Sequence, residues 1–223
     1  MDFIDLRPGT SVEGEKIPCF RSEDKADKYI YLMAGTHGDE VEGVFVLDRL
    51  FKWLKKQEDL ALPLIVIPIL NVDGYRSGTR VNSHGVDLNR NLPATSWAAE
   101  FKEKKYNPGP TALSEPENQF LVKLFKKFPP KMILSFHSWK PMINYNGDCE
   151  EIAELLHEFN SYPVVAEIEN YPTPGSLGDL GPEKYDSPVL TFECPTLTEG
   201  VTLNGIWEEN MTGLQKLFAS KLL

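Results

Sequence analysis

The sequence predicts an α/β fold: one domain on a mixed, mainly parallel sheet flanked by helices. Three observations carry that prediction. Short apolar runs alternate with amphipathic helical stretches from end to end, the pattern of parallel strands joined by crossover helices. Several of the runs are continuously apolar rather than alternating, as strands covered on both faces are. No linker, repeat or break in composition divides the chain, so residues 1–223 read as a single domain without a propeptide or accessory domain.

Each element follows from its residues. The opening stretch, Gly9 to Pro18, is turn-rich and leads into a short edge strand. Tyr29 to Ala34 is the first confident strand, and Gly35 ends it. Val41, Val44, Phe45, Leu47, Leu50, Phe51 and Leu54 then recur at spacings near three and four, which makes an amphipathic helix. Residues 64–70 form a second buried strand, with Pro68 marking an irregular end. From Asn71 to about Pro110 runs a loop rich in Gly, Asn, Asp and Arg; structureless loops of that length are uncommon in compact domains and are often functional. Ser114 is expected to cap a helix over 115–128, with Glu117 completing a capping box. Residues 132–137 form a strand that ends on a histidine, 148–160 a helix, and 164–168 a further strand. Residues 171–184 read as a Gly/Pro loop, 189–193 as a strand that ends on a glutamate, and 203–222 as the closing helix.

Composition removes several classes of function. The net charge is −10 and the basic runs are short and mixed, so a nucleic-acid partner is excluded. The three cysteines are odd in number and widely spaced, which argues for a reducing compartment over a disulfide framework. The N-terminus has neither a basic region nor a long apolar stretch, so no signal peptide and no membrane span are expected. A cytoplasmic location follows, with a secreted or periplasmic one left open if a leader has been removed.

Chemistry concentrates at strand ends. His37, His137 and Glu193 each stand at or just beyond a strand's carboxyl end, and a fourth strand opens the Asn71 loop. Ligands of open α/β sheets gather outside those ends. Imidazole nitrogen and carboxylate oxygen both bind Zn²⁺, and a catalytic zinc needs three protein ligands and one open position. Gly35-Thr36-His37-Gly38-Asp39-Glu40 supplies two candidates at short spacing and demands a third from far along the chain.

That stretch, with Asn71-Val72-Asp73-Gly74, Arg80, Gly85-Val86-Asp87-Leu88-Asn89-Arg90-Asn91, Ser135-Phe136-His137 and Phe192-Glu193, resembles the M14 family of zinc metallocarboxypeptidases, in family order over nearly the whole chain. Within the family the chain is most similar to short bacterial murein peptide amidases. The resemblance implies one Zn²⁺ per chain held by His37, Glu40 and His137, with Asp87 as the acidic partner of a ligand histidine. It implies Glu193 as general base, Arg80 as the donor that stabilises the oxyanion, and Asn89 and Arg90 as the pair that grips the substrate's terminal carboxylate. Tyr171 falls at about the position of the family's mobile tyrosine, though a plain loop aromatic fits the residues too. His84 and His157 match no ligand position, and Arg76 is a nearby competitor for the role of Arg80.

The implied activity is a zinc-dependent exopeptidase or amidase acting before a carboxyl-terminal residue. The implied substrate is a small murein tri- or tetrapeptide cut between γ-D-glutamate and meso-diaminopimelate, with Asp179 available to a positively charged group. Val72 and Leu92 depart from the usual proline and phenylalanine, and Trp139 is bulkier than the residues common there. A metallocarboxypeptidase acting on other peptides, a zinc deacylase of the aspartoacylase type, and an inactive binding module are the alternatives.

Overall fold

The apolar runs pair into one large sheet. The computed structural model describes residues 1–168 and 171–223. The described residues form strands β1 (Phe3–Asp5), β2 (Gly9–Thr10), β3 (Lys16–Ile17), β4 (Phe20–Ser22) and β5 (Tyr29–Ala34), followed by α1 (Val41–Leu54), β6 (Leu64–Ile67), α2 (Val72–Ser77) and α3 (Pro116–Lys127). The second half supplies β7 (Pro130–Trp139), β8 (Met142–Asn146), α4 (Glu150–Asn160), β9 (Val164–Val165), α5 (Leu177–Tyr185), β10 (Val189–Pro195) and α6 (Leu203–Phe218). Eight strands join in the order β1-β4-β6-β5-β7-β10-β8-β9, while β2 and β3 form a separate hairpin. The central four, β6, β5, β7 and β10, run parallel. At the edges β4 and β8 run antiparallel to their central neighbours.

Strand alternation sorts the core into two faces. Leu32, Leu134, Phe136, Leu190 and Phe192 point to the face covered by α1, α4 and α6. Tyr31, Met33, Ile133 and Val189 point to the other face, against α3 and α5. All nine of those side chains are buried, and full burial of one such side chain contributes about 1.5–3 kcal/mol. No helix among the described residues is long and apolar enough to cross a membrane.

Several elements differ from the sequence reading. Helix α2 lies inside the expected loop; Asn71 caps it by accepting from the Gly74 N–H at 2.9 Å, and Gly78 ends it at φ 65°. Helix α5 lies inside the expected Gly/Pro loop. Its glycines serve close packing instead of turns, since a Cβ on Gly181 would fall 2.4 Å from the Val189 side chain. Strand β8 has no counterpart in the reading, because only Lys140 and Pro141 separate it from β7. The expected strand over 164–168 is confined to Val164–Val165. Ser114 does not cap α3. Pro116 opens that helix, Glu115 occupies the N-cap without a side-chain capping bond, and Glu117 accepts from the Val12 N–H and the Asn82 amide, each at 3.2 Å.

Candidate active site

Sheet register sets the site. Glu193 of β10 stands directly beside His137 of β7, and Ala34 of β5 beside Phe136. Beyond Ala34 the chain turns at Gly35, whose φ of +61° suits a residue without a side chain. His37 follows on that turn, and Glu40 sits at the N-cap of α1. Two glycines permit the approach. A Cβ on Gly43 would lie 2.8 Å from the Phe136 carbonyl, so the first turn of α1 presses on β7 beside His137. A Cβ on Gly38 would lie 2.0 Å from the Gly74 backbone, so the histidine turn rests on α2.

The result is a tight donor cluster. Ligand atoms of His37, Glu40 and His137 all lie within 4.8 Å of one another. Glu40 Oε1 is 2.7 Å from His37 Nδ1, Glu40 Oε2 is 2.7 Å from His137 Nδ1, and the two Nδ1 atoms are 3.2 Å apart. Both imidazoles thus turn the same nitrogen inward. On its other side His37 meets Asp87, Nε2 to Oδ1 at 3.0 Å. A proton on Nε2 donated to that carboxylate leaves the Nδ1 lone pair facing the cluster. Two imidazoles and a carboxylate converging from separate elements fit a zinc ion.

Electrostatics bind the cluster together. Burial opposes a charge on His37, but the neighbouring Glu40 and Asp87 carboxylates outweigh it and raise the ring's pKa to about 9. Burial dominates at His137 and lowers its pKa. Burial would raise Asp87, yet the charges of His37, Arg80 and Arg90 hold it well below the usual carboxylate range. Arg80 reaches across both acids, giving Nε and Nη2 to Asp87 at 3.1 and 2.9 Å and Nη1 to Glu40 at 3.3 Å. Those contacts use three of a guanidinium's five N–H donors and leave the others free.

Glu193 differs from its neighbours. Its Oε2 is buried without a hydrogen-bond partner among the described residues, although it lines the same cleft. Burial pushes this carboxyl up to about 8, with the Glu40 charge adding to the effect.

The cleft has a volume of about 850 Å³ and continues from the cluster towards the start of α5. Arg90 is buried in its wall and donates to the Asn89 carbonyl at 2.8 Å. No carboxylate among the described residues forms a salt bridge with it. The Asn89 side-chain oxygen accepts from the Leu177 N–H at 2.9 Å, so its amide NH₂ remains available. Asp179 lines the cleft and accepts from the Ser96 hydroxyl. Tyr171 also lines it, with its ring 5.0 Å from that of Trp139.

Of the residues singled out from the sequence, His37, Glu40, Arg80, Asn89, Arg90, His137, Tyr171, Asp179 and Glu193 line one cleft, and Asp87 is buried behind it against His37 and Arg80. His84 instead bonds to Glu115 and His157 to the Tyr162 carbonyl, both outside the cluster, and Arg76 pairs with Glu15 on the surface. Glu42 and Tyr106 are among the cleft residues that escaped the sequence reading. Glu42 is buried and takes the Ser138 hydroxyl and the Leu197 N–H, each at 2.7 Å. In sequence it reads as an ordinary first-turn acid. Tyr106 lies within the long loop and carries no motif.

Comparison with known proteins agrees with this geometry. The zinc carboxypeptidase family profile matches residues 6–173. The sequence is 29% identical over 206 residues to murein peptide amidase A of Vibrio campbellii, covering 87% of this chain and 81% of that protein. It is 33% identical over 181 residues to murein peptide amidase A of Escherichia coli K12, covering 76% and 73%. The structure superposes on murein-tripeptide amidase from Escherichia coli O157 with a TM-score of 0.79 and 26% identity, covering 97% of this chain and 92% of that one. Carboxypeptidase A from Helicoverpa armigera shares the fold, with a TM-score of 0.79 at 19% identity over 97% and 68% of the two chains.

Proposed function

The chain belongs to the zinc carboxypeptidase family, and from that premise we propose that it is a zinc-dependent exopeptidase of murein peptides. Its reaction would be hydrolysis of the amide bond before a residue with a free carboxylate, the γ-D-glutamyl–meso-diaminopimelate bond. The observation that carries this reading is Arg90: a buried guanidinium, facing an open cleft, without a carboxylate of its own among the described residues. A buried charge is costly unless paired. A carboxylate supplied by substrate would pair with it, and the free NH₂ of Asn89 adds a second donor.

His37, Glu40 and His137 would hold the zinc, whose chemistry when bound is to polarise a carbonyl and lower the pKa of water towards about 7. Asp87 keeps the His37 ring in its orientation through Nε2. Glu193 is the proposed base: its carboxylate takes a proton from the attacking water and returns it to the departing nitrogen. Arg80 keeps N–H donors beyond those spent on Asp87 and Glu40, available to charge developing on the carbonyl oxygen. At the far end Asp179, held by Ser96, would meet the ammonium group of diaminopimelate. The relatives named murein peptide amidase A support this choice of substrate.

The test is digestion of murein tripeptide by the zinc-loaded protein, followed by mass spectrometry, beside the same peptide with its carboxyl groups amidated. Release of diaminopimelate from the free acid alone is expected. Arg90→Ala should raise KM for the free acid on the order of 10²-fold. Equal cleavage of free and amidated peptides would sink the exopeptidase reading.

A further inference from the structure

We propose that Tyr106 is a positioning residue that, together with Trp139, holds Tyr171 over the carboxylate-binding arginine before substrate arrives. The inference rests on the reading of Arg90 as the group that takes the substrate carboxylate. Tyr106 closes a single 3₁₀ turn, Lys104–Tyr106. That turn is fastened to the loop carrying Asp87, Asn89 and Arg90: the Asp87 N–H donates to the Asn107 carbonyl at 2.8 Å, and the Asn107 side chain donates to the Gly85 carbonyl at 2.9 Å. A displacement of Tyr106 would therefore carry the arginine loop with it.

Three aromatic rings pack against one another at the cleft. Tyr171 lies between Trp139, at 5.0 Å and 31°, and Tyr106, at 6.0 Å and 81°. The Tyr171 hydroxyl donates to the Tyr106 oxygen at 3.0 Å. None of the three rings belongs to either core cluster, so their packing is not a by-product of sheet burial. The guanidinium groups of Arg80 and Arg90 lie 5.4 and 5.6 Å from the Tyr106 ring, and Arg90 lies 5.9 Å from the Tyr171 ring. Cations at that range are attracted to an aromatic face. Tyr106 thus lies against both arginines and is bonded to the tyrosine that sits over Arg90. Burial, then the bond to Tyr106, push the Tyr171 phenol up to about 12, so it stays a neutral donor.

The consequence lies in binding. A side chain already ordered in its bound position spares the complex the entropy of ordering it. Without the Tyr106 hydroxyl, Tyr171 must be fixed when substrate arrives, and the loss falls on KM while the chemical step is unaffected. Trp139, the bulky departure noted in the sequence, supplies the opposite wall of the clamp.

The experiment places 3-fluorotyrosine at position 171 of the zinc-loaded protein. Fluorine relaxation by a soluble gadolinium chelate then measures how exposed that ring is. In the parent the ring should be protected. Tyr106→Phe, which removes one oxygen, should expose it, and Trp139→Ala should do the same from the other side. With murein tripeptide, Tyr106→Phe should raise KM about ten-fold and leave kcat within two-fold. Unchanged protection in Tyr106→Phe overturns the proposal, and so does exposure without a rise in KM. If the parent cleaves no murein peptide, the functional reading fails, while the fluorine measurement still decides whether Tyr106 holds Tyr171.

Discussion

The two halves of the cleft are built on different principles. The metal-facing half hangs from the sheet: His137 and Glu193 are register neighbours on β7 and β10, and Gly43 seats Glu40 against the same strand. The substrate-facing half is made of turns and short helices, with Asn89 and Arg90 on one turn, Tyr106 on a second, Tyr171 on the stretch before α5, Ser176 at the cap of α5 and Asp179 in its first turn. A metal centre tolerates little error in donor placement, and strands hold side chains more rigidly than loops do. Loops can change shape and composition without disturbing the sheet, so substrate choice can vary while the donor set stays fixed.

The largest effect should come from the sheet half. Glu193→Gln keeps the shape of the side chain but removes its basicity. Turnover of murein tripeptide should fall by about 10²–10⁴-fold, with zinc content still one ion per chain by elemental analysis. Near-parental turnover would take Glu193 out of the base role. Loss of zinc would show that the residue supports the donor cluster instead.

The same division explains what could be read from the sequence. Strands β5, β6, β7 and β10 announce themselves as continuous apolar runs, because both of their faces are buried. His137 and Glu193, two residues short of the carboxyl ends of β7 and β10, are then placed by chain order and register. Helices α2 and α5 stayed hidden because Gly74, Gly78, Gly178, Gly181 and Pro182 are turn signals in one dimension. In space several of those glycines make room for a neighbour: a Cβ on Gly74 would fall 2.4 Å from the Asn71 amide, and one on Gly178 2.4 Å from the Asn146 side chain. Glu117 misled for a similar reason. Its spacing from Ser114 fits a capping box, yet its carboxylate reaches away to Asn82 and Val12. Tyr106 gave no local signal, since its partners Arg80, Arg90 and Tyr171 are assembled only by the fold.

Asp87 is where the contrast between the halves can be broken. It sits on a loop, yet it is fully buried and grips His37, a proposed zinc ligand. Asp87→Asn keeps the size of the side chain but loses the charge. Zinc affinity should fall by 10–100-fold, the usual cost of removing such an outer partner. Competition with a fluorescent chelator at fixed pH would measure it. Affinity equal to the parent's would mean that the sheet half holds the metal without help from the loops.

A last comparison isolates Glu193 from catalysis altogether. In the metal-free protein its carboxyl is raised from 4.5 to about 8 by burial, so the fold favours the protonated, uncharged form. For a group shifted in that direction, the stability it contributes is fully present below pH 4.5 and is lost as pH rises through about 8. Glutamine cannot ionise and suffers no such loss. The stability of metal-free Glu193→Gln relative to the metal-free parent should therefore grow as pH rises across that window. Urea unfolding of both proteins after chelation, at a series of pH values, would give the difference. Bound zinc should flatten it, because a nearby divalent charge favours the ionised carboxylate and removes the penalty that burial imposes. A difference that stays constant with pH would mean that the carboxylate finds solvent or a partner, and the contrast between an unsatisfied Glu193 and the tightly bonded Asp87 would dissolve.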